Sequence, residues 1–348
     1  MNKKKKKLSV SQLIIIIILS VFLLIALILG GIYLYYDGLL QENEAGTLPE
    51  QVKPNAEINT PDNISFLVGG IDYDKDEGRD YANKLGMTDV ILYCSYNLKD
   101  NKLNILQIPR DTYIGELTET GKINLVYATG EDKVNHIANL ANVLNKDFAL
   151  DIENYAVFDL DAFTEIIDAL GGINMYVPWE VHDEYGNSIP MGTHRLTGTS
   201  AVFVIRQRDM YAQKDIKRLE MQQYFYKAVV NAIRTDFSLA DVPNMAGRVI
   251  NYCSTDFNLI QLGSLFPKMM ALKDEDIFIA RCPGGSVMIN GEAVYAINAE
   301  NLATLLNEHF RLNGETVPAS QLGIPTGFDY KLGEINDKGH NLGTMETK

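Results

Sequence analysis

Three arginines stand close together in this chain, Arg206, Arg208 and Arg218, with Asp209 and Asp215 between them. A guanidinium donates paired hydrogen bonds to phosphate oxygens and stays charged at any working pH, so such a group suits a phosphate. The same pattern also suits a solvated helix-to-helix connection, whose ion pairs are common and weak. A second group lies at 105–112, where an apolar run reaches Pro109 and leaves Arg110 and Asp111 at the carboxyl end of a strand. Ligands of open α/β sheets gather outside strand carboxyl ends. A proline-led turn with Asp111 bonded to nearby amides is the structural alternative. Asp72 follows Gly69, Gly70 and Ile71 at the end of another strand-like run, and Asp89 follows Thr88 just before a third. Two carboxylates at adjacent strand ends offer the oxygen ligands that Mg²⁺ prefers, although Asp89 equally fits a turn cap.

The elements that must position these residues alternate along the chain. Short apolar runs at 64–68, 90–96 and 103–108 read as strands, the last two joined as a hairpin. Apolar residues at helical spacing mark 134–144, and 163–170 does the same before Gly171 and Gly172 stop it. A strand follows at 173–177, then helices at 199–205 and 219–233. Beyond them lie a helical run at 259–272, a strand at 277–280 and a helix near 299–310. This interleaving predicts an α/β fold, a mixed central β-sheet covered by helices on both faces.

The five lysines at 3–7 stand apart from a chain of net charge −14, so the rest is five units more negative still. General nucleic-acid binding needs a basic footprint and is excluded on that balance. Three cysteines, Cys94, Cys253 and Cys282, are too few for a disulfide scaffold. Residues 13–36 are almost unbroken apolar and end in Tyr33, Tyr35 and Tyr36. As a helix they reach about 36 Å at ~1.5 Å per residue, enough for the ~30 Å hydrocarbon core. The stretch is longer than a cleaved leader's apolar region and closes on an interfacial aromatic belt. It predicts one transmembrane helix preceding the fold, with the lysines inside. The organisation that follows is a cytoplasmic basic tail at 1–12, the span at 13–36 and a polar, proline-bearing extracellular linker at 37–63. A catalytic domain at 64–235 comes next, then its C-terminal part or a small extra lobe at 236–312, and a loosely ordered tail at 313–348. The protein is expected at the cell membrane, single-pass, with its C-terminal domain outside.

Taken in order, the residues carry a resemblance. A strand with Gly70 and Asp72 comes first, then Thr88-Asp89, Ile108-Pro109-Arg110-Asp111-Thr112, and Lys122-Ile123-Asn124 with Tyr127-Ala128. Asp168-Ala169-Leu170-Gly171-Gly172-Ile173 follows, then Arg206 and Arg208, Asp215 and Arg218, and Gln222. This series resembles the LytR-CpsA-Psr family over about 64–233. The resemblance implies a phosphotransferase that moves a glycopolymer, teichoic acid or capsular polysaccharide, from a polyprenyl-pyrophosphate carrier at the cytoplasmic membrane to peptidoglycan. It implies that Asp72 and Asp89 hold Mg²⁺ or Mn²⁺, and that Arg110, Arg206, Arg208 and Arg218 bind the pyrophosphate with Gln222. Asp215 orients the arginines and Asp111 stands beside Arg110 in the catalytic set. The family usually carries arginine where this chain has Met87 and Met221. That departure keeps two other functions open, a non-catalytic lipid-phosphate or wall-glycan binder that regulates, and a pyrophosphatase on the same lipid.

Overall fold

The computed structural model describes residues 62–72, 86–132, 135–183, 185–207, 214–236, 253–257, 268, 271–311, 314–330 and 334–345. The basic tail, the expected span at 13–36 and the linker up to residue 61 lie outside them, as does most of the helical run expected at 259–272. Among the described residues no helix is long and apolar enough to cross a membrane.

A seven-stranded mixed sheet forms the centre. Its first three strands are β1 (Asn63–Asp72), β2 (Met87–Asn97) and β3 (Lys102–Gln107), a sequential antiparallel set. β4 (Asn154–Asp159) lies parallel to β1 on one side, and β9 (Cys253–Thr255) closes that edge. On the other side β10 (Ile277–Arg281) lies parallel to β3, and β14 (His340–Asn341) forms the edge. Smaller pairings surround it. They are β5 (Ile173–Val177) with β8 (Gly192–Leu196), the hairpin β6 (Val181–His182) and β7 (Ser188–Ile189), and a three-stranded sheet of β11 (Gly284–Ile289), β12 (Glu292–Ile297) and β13 (Glu334–Ile335).

The side chains of a strand alternate between faces, so each central strand feeds two cores. Phe66, Leu92, Cys94 and Ile105 face one core, built with α3 (Leu160–Ala169), α4 (Gly198–Arg206) and α5 (Lys214–Asp236). Leu67, Ile91, Tyr93 and Leu106 face the other, built with the single turn α1 (Val126–Thr129), α2 (His136–Asp147) and α6 (Ala299–His309). Each fully buried leucine or phenylalanine contributes about 1.5–3 kcal/mol of transfer free energy, and both faces of the sheet are consumed this way.

Two parts of the sequence pattern read differently in three dimensions. The run Tyr155-Ala156-Val157-Phe158 is buried throughout and sits mid-sheet in β4. A short continuous apolar run does not distinguish strand from helix, which is why it carries no periodic signal. The stretch 313–348, expected as a loosely ordered tail, supplies β13 and β14, the second of them paired to β10 in the central sheet. Two-residue strands are too short to show alternation. The stretch 236–312, expected as the C-terminal part of the same domain or a small extra lobe and to hold a strand at 277–280, contributes β9 and β10 to that sheet and β11 and β12 to the small sheet beside it.

Candidate active site

The carboxyl ends of β1, β3, β4 and β10 and the amino end of β2 share one edge of the sheet, because β2 alone among these runs the other way. Asp72 closes β1 opposite Met87. Two residues on, the β1–β2 register slips, with Ile71 opposite Thr88 and Gly70 opposite Val90. Asp89 is therefore the extra residue of a β-bulge, and a bulge re-aims a side chain that the pleat would have sent elsewhere. Asp89 lines the same cleft as Val90, its immediate neighbour. On the far side of β2, Leu92 stands opposite Gln107, so three residues back along β2 and three on past β3 bring Asp89 to Arg110.

Asp89 Oδ1 accepts from Arg110 Nη1 at 2.5 Å, and its Oδ2 lies 3.6 Å from Arg218 Nη1. Arg218 is 2% exposed and forms the floor of the site. Arg206, at the last position of α4, donates to Asp72 Oδ2 at 2.9 Å with nearly half its side chain in solvent, and forms the rim. Gln222 lies one turn beyond Arg218 on α5, and residues four apart share a helix face. It is buried, and its Oε1 has no hydrogen-bond partner among the described residues. Behind these polar groups the cleft is apolar, walled by Val90, Phe163, Val202 and Ile205.

Local sequence explains why these pieces hold. Thr197 caps α4 by accepting from Ser200 N–H, and Asp168 Oδ1 accepts from Gly198 N–H at 2.7 Å. A Cβ on Gly198 would collide with the Thr164 backbone, so glycine there lets α4 lie close on α3 and brings Arg206 to Asp72. The Arg110 loop is fixed at several points. Thr112 N–H and Oγ1 both donate to the Pro109 carbonyl, Asn124 N–H donates to Arg110 O at 3.1 Å, and Tyr295 N–H of β12 donates to Asp111 O at 2.9 Å. The C-terminal third thus clamps a loop of the site.

Of the residues singled out in the sequence, Asp72, Asp89, Arg110, Arg206, Arg218 and Gln222 converge. The Asp111 carboxylate meets Lys122 Nζ at 3.6 Å, which itself lies 3.8 Å from Glu292. Asp215 falls in the first turn of α5, and Arg208 lies outside the described residues. Met221 is packed in the core beside α4, whereas Met87 lies at the site edge, its Sδ accepting from Asn124 Nδ2 at 3.5 Å. The bulge at Asp89 leaves no trace in the sequence, since nothing in Thr88-Asp89-Val90 distinguishes it from an unbroken strand.

Paired arginines on one buried carboxylate, at the mouth of an apolar cleft, suit an amphiphile with a charged phosphate head. The description of the LytR_cpsA_psr family matches residues 34–311, most of the chain. The chain belongs to that family. Family membership extends well past residue 233, where the motifs end, because the later strands complete the sheet that holds them. Among curated relatives, a protein of Oceanobacillus iheyensis named polyisoprenyl-teichoic acid–peptidoglycan teichoic acid transferase TagU is 24% identical over 305 residues, covering 82% of this chain and 89% of that one. The corresponding transferase TagV of Bacillus subtilis is 24% identical over 328 residues, covering 87% and 80%. The crystal structure of B. subtilis TagV superimposes with a TM-score of 0.57 at 21% identity, covering 72% of this chain and 98% of that chain, a likeness of fold.

Proposed function

We propose that this LytR_cpsA_psr protein is a membrane-anchored extracellular phosphotransferase that attaches a glycopolymer, carried on a polyprenyl pyrophosphate, to peptidoglycan. The observation that carries this is the pairing of Asp89 with both Arg110 and Arg218 at the mouth of an apolar cleft. The names of its relatives support the same reaction class. The apolar walls accept the first isoprene units, and the guanidiniums meet the pyrophosphate. An acceptor hydroxyl of the peptidoglycan sugar attacks the phosphorus next to the glycopolymer. The new P–O bond forms as the bond to the bridging oxygen breaks, the hydroxyl proton is released, and polyprenyl monophosphate leaves with the electron pair. Such transfers are governed by positioning and charge neutralisation, and here Arg110, Arg206 and Arg218 face the oxygens on which charge develops.

Asp72 and Asp89 also fit a hard cation. Two carboxylates, Asp72 held by Arg206 and Asp89 held by Arg110 and Arg218, stand at neighbouring strand ends. That is the donor set of Mg²⁺, or of Mn²⁺, which keeps water and takes phosphate oxygens beside one or two carboxylates. When bound, the ion supplies Lewis-acid polarisation of the phosphoryl oxygens. Calorimetry with geranylgeranyl pyrophosphate in Mg²⁺ and in chelator tests that share, and equal affinity in both removes the ion from the site.

Transfer of radiolabelled lipid-linked glycopolymer to wall fragments tests the reaction. Label in the wall with release of prenyl monophosphate is expected. Inorganic phosphate release without wall label would make the protein a pyrophosphatase, and binding with neither product would make it a regulator.

A further inference from the structure

One polar side chain is fully buried at the end of β3. Gln107 is buried at 1% exposure, three residues before Arg110, between Leu106 and Ile108. Burying an amide without partners costs free energy, and Gln107 has its partners on a single element across the cleft. Its Nε2 donates to the carbonyl of Leu219 at 3.2 Å, and its Oε1 accepts from Gln223 Nε2 at 2.8 Å. Leu219 follows Arg218, and Gln223 follows Gln222. Both bonds therefore grip the one turn of α5 that carries the floor arginine and the glutamine of the site. The same end of the strand leads into the loop that carries Arg110.

We infer that Gln107 is a positioning residue that fixes Arg218 and Gln222 at the spacing from Arg110 that a pyrophosphate head requires. The two arginines reach Asp89 from separate elements, Arg110 from the loop after β3 and Arg218 from α5, on opposite oxygens of one carboxylate. Without a tie, sliding of α5 along the sheet would move one guanidinium relative to the other. A side-chain bridge with both its hydrogen bonds satisfied by one helical turn sets that register, whereas the apolar contacts around it, such as those of Met221 and Phe225, tolerate small shifts. Gln107 spends both its polar groups on α5 and acts through the residues it holds.

The inference rests on the pyrophosphate-lipid reading of the site. Its test uses geranylgeranyl pyrophosphate and geranylgeraniol, the same chain with and without the charged head, on the full chain in detergent. Gln107→Met keeps size and removes both bonds. It is expected to lose about tenfold in affinity for the pyrophosphate, with the alcohol bound within twofold of the parent. Equal losses for both ligands, or no loss for either, would overturn the positioning role and assign Gln107 to the core alone. Should Gln107→Met fail to fold, Gln223→Met removes a single bond and is expected to show the same head-selective loss at smaller size; its equality with the parent would also overturn the role. A parent that binds neither ligand defeats the lipid reading and the inference together. A parent that binds the pyrophosphate yet transfers nothing defeats the transferase reading and leaves the head-selective comparison decisive.

Discussion

The two ends of β1 both bury arginine against aspartate, and they do so differently. At the end marked by Asp72, two carboxylates meet three guanidiniums, those of Arg110, Arg206 and Arg218, and the group opens on a cleft. Near the start of β1, Ser65 Oγ donates to the backbone carbonyl of Asp151, whose carboxylate lies 3.3 Å from Arg311 Nη1. That same nitrogen donates to the Ala149 carbonyl at 2.6 Å. One carboxylate and one guanidinium cancel there, and the arginine is spent on joining the end of α6 to the loop before β4. At the first end the guanidiniums come from three separate elements and border an apolar cleft. An opening onto a cleft separates an anion site from a staple where burial alone does not.

Breaking each end should give opposite signatures. Arg311→Met leaves the Asp151 carboxylate buried without its cation, and removing one partner of a buried pair typically costs about 3–5 kcal/mol. Burial already pushes the Asp151 carboxyl above its ordinary range and Arg311 opposes that shift, so the loss falls on folding. The expected result is a marked fall in Tm with transfer by the folded fraction unchanged. Lost transfer at intact Tm would show that this end also serves the reaction. Arg218→Met is the converse. Asp89 keeps Arg110, so Tm should hold nearly steady while transfer falls about a hundredfold, the size of an electrostatic contact to developing charge. If denaturation follows the Arg218 change and activity does not, Arg218 is structural.

How far the sequence announces this depends on the scale of the signal. The interleaved strands and helices are legible because β1, β2, α2 and α4 are long enough to show period or a bounded apolar run. The site residues are legible as a set, through the order of motifs that resembles the family, since each alone also fits a turn, a cap or a surface ion pair. What stays hidden is produced by pairing between distant segments. The slip of one residue that aims Asp89 into the cleft depends on how β2 is laid against β1, and the clamp of Tyr295 on Asp111 joins segments far apart in the chain. Gln107 had a local signal, an amide inside an apolar strand, whose meaning needed the position of α5. Four buried residues of β4 and two-residue strands such as β14 have no periodicity to read.

The comparison can be sharpened by adding a charge at the first end. Met87 stands opposite Asp72, at the position where the resemblance described above leads one to expect arginine. Met87→Arg places a guanidinium at the open edge of the site. A partly exposed charge is worth up to ~1 kcal/mol, so affinity for geranylgeranyl pyrophosphate should rise several-fold, with the effect fading in high salt. Unchanged or weaker affinity would mean that contact geometry rather than charge limits binding at this end.

The smallest expected effect concerns acid, and it distinguishes the site from the seam behind it. Lys227, farther along α5, donates to the carbonyls of Leu342 and Met345 and so fastens the C-terminal segment to the helix that carries Arg218. His340 of β14 lies in that seam, and burial holds its imidazole below the ordinary 6.5, with Arg281 and Lys227 acting the same way and Asp337 and Glu220 opposing. A histidine of lowered pKa is less readily protonated folded than unfolded. Its neutral form is therefore fully accommodated above about pH 6.5, and stability is lost as pH falls below that value because the unfolded chain takes up the proton first. His309, stacked on Phe278 at 3.9 Å, is shifted in the same direction by burial and adds to the trend. Tm of the parent should fall between pH 7 and 5.5, and His340→Asn should flatten part of that fall. The arginines of the site keep their charge throughout this range. Transfer at saturating donor, measured well below Tm, should therefore differ little between parent and His340→Asn across the range. A pH profile of transfer that moves with the substitution would place the seam in control of the site, and the two regions would no longer be separable.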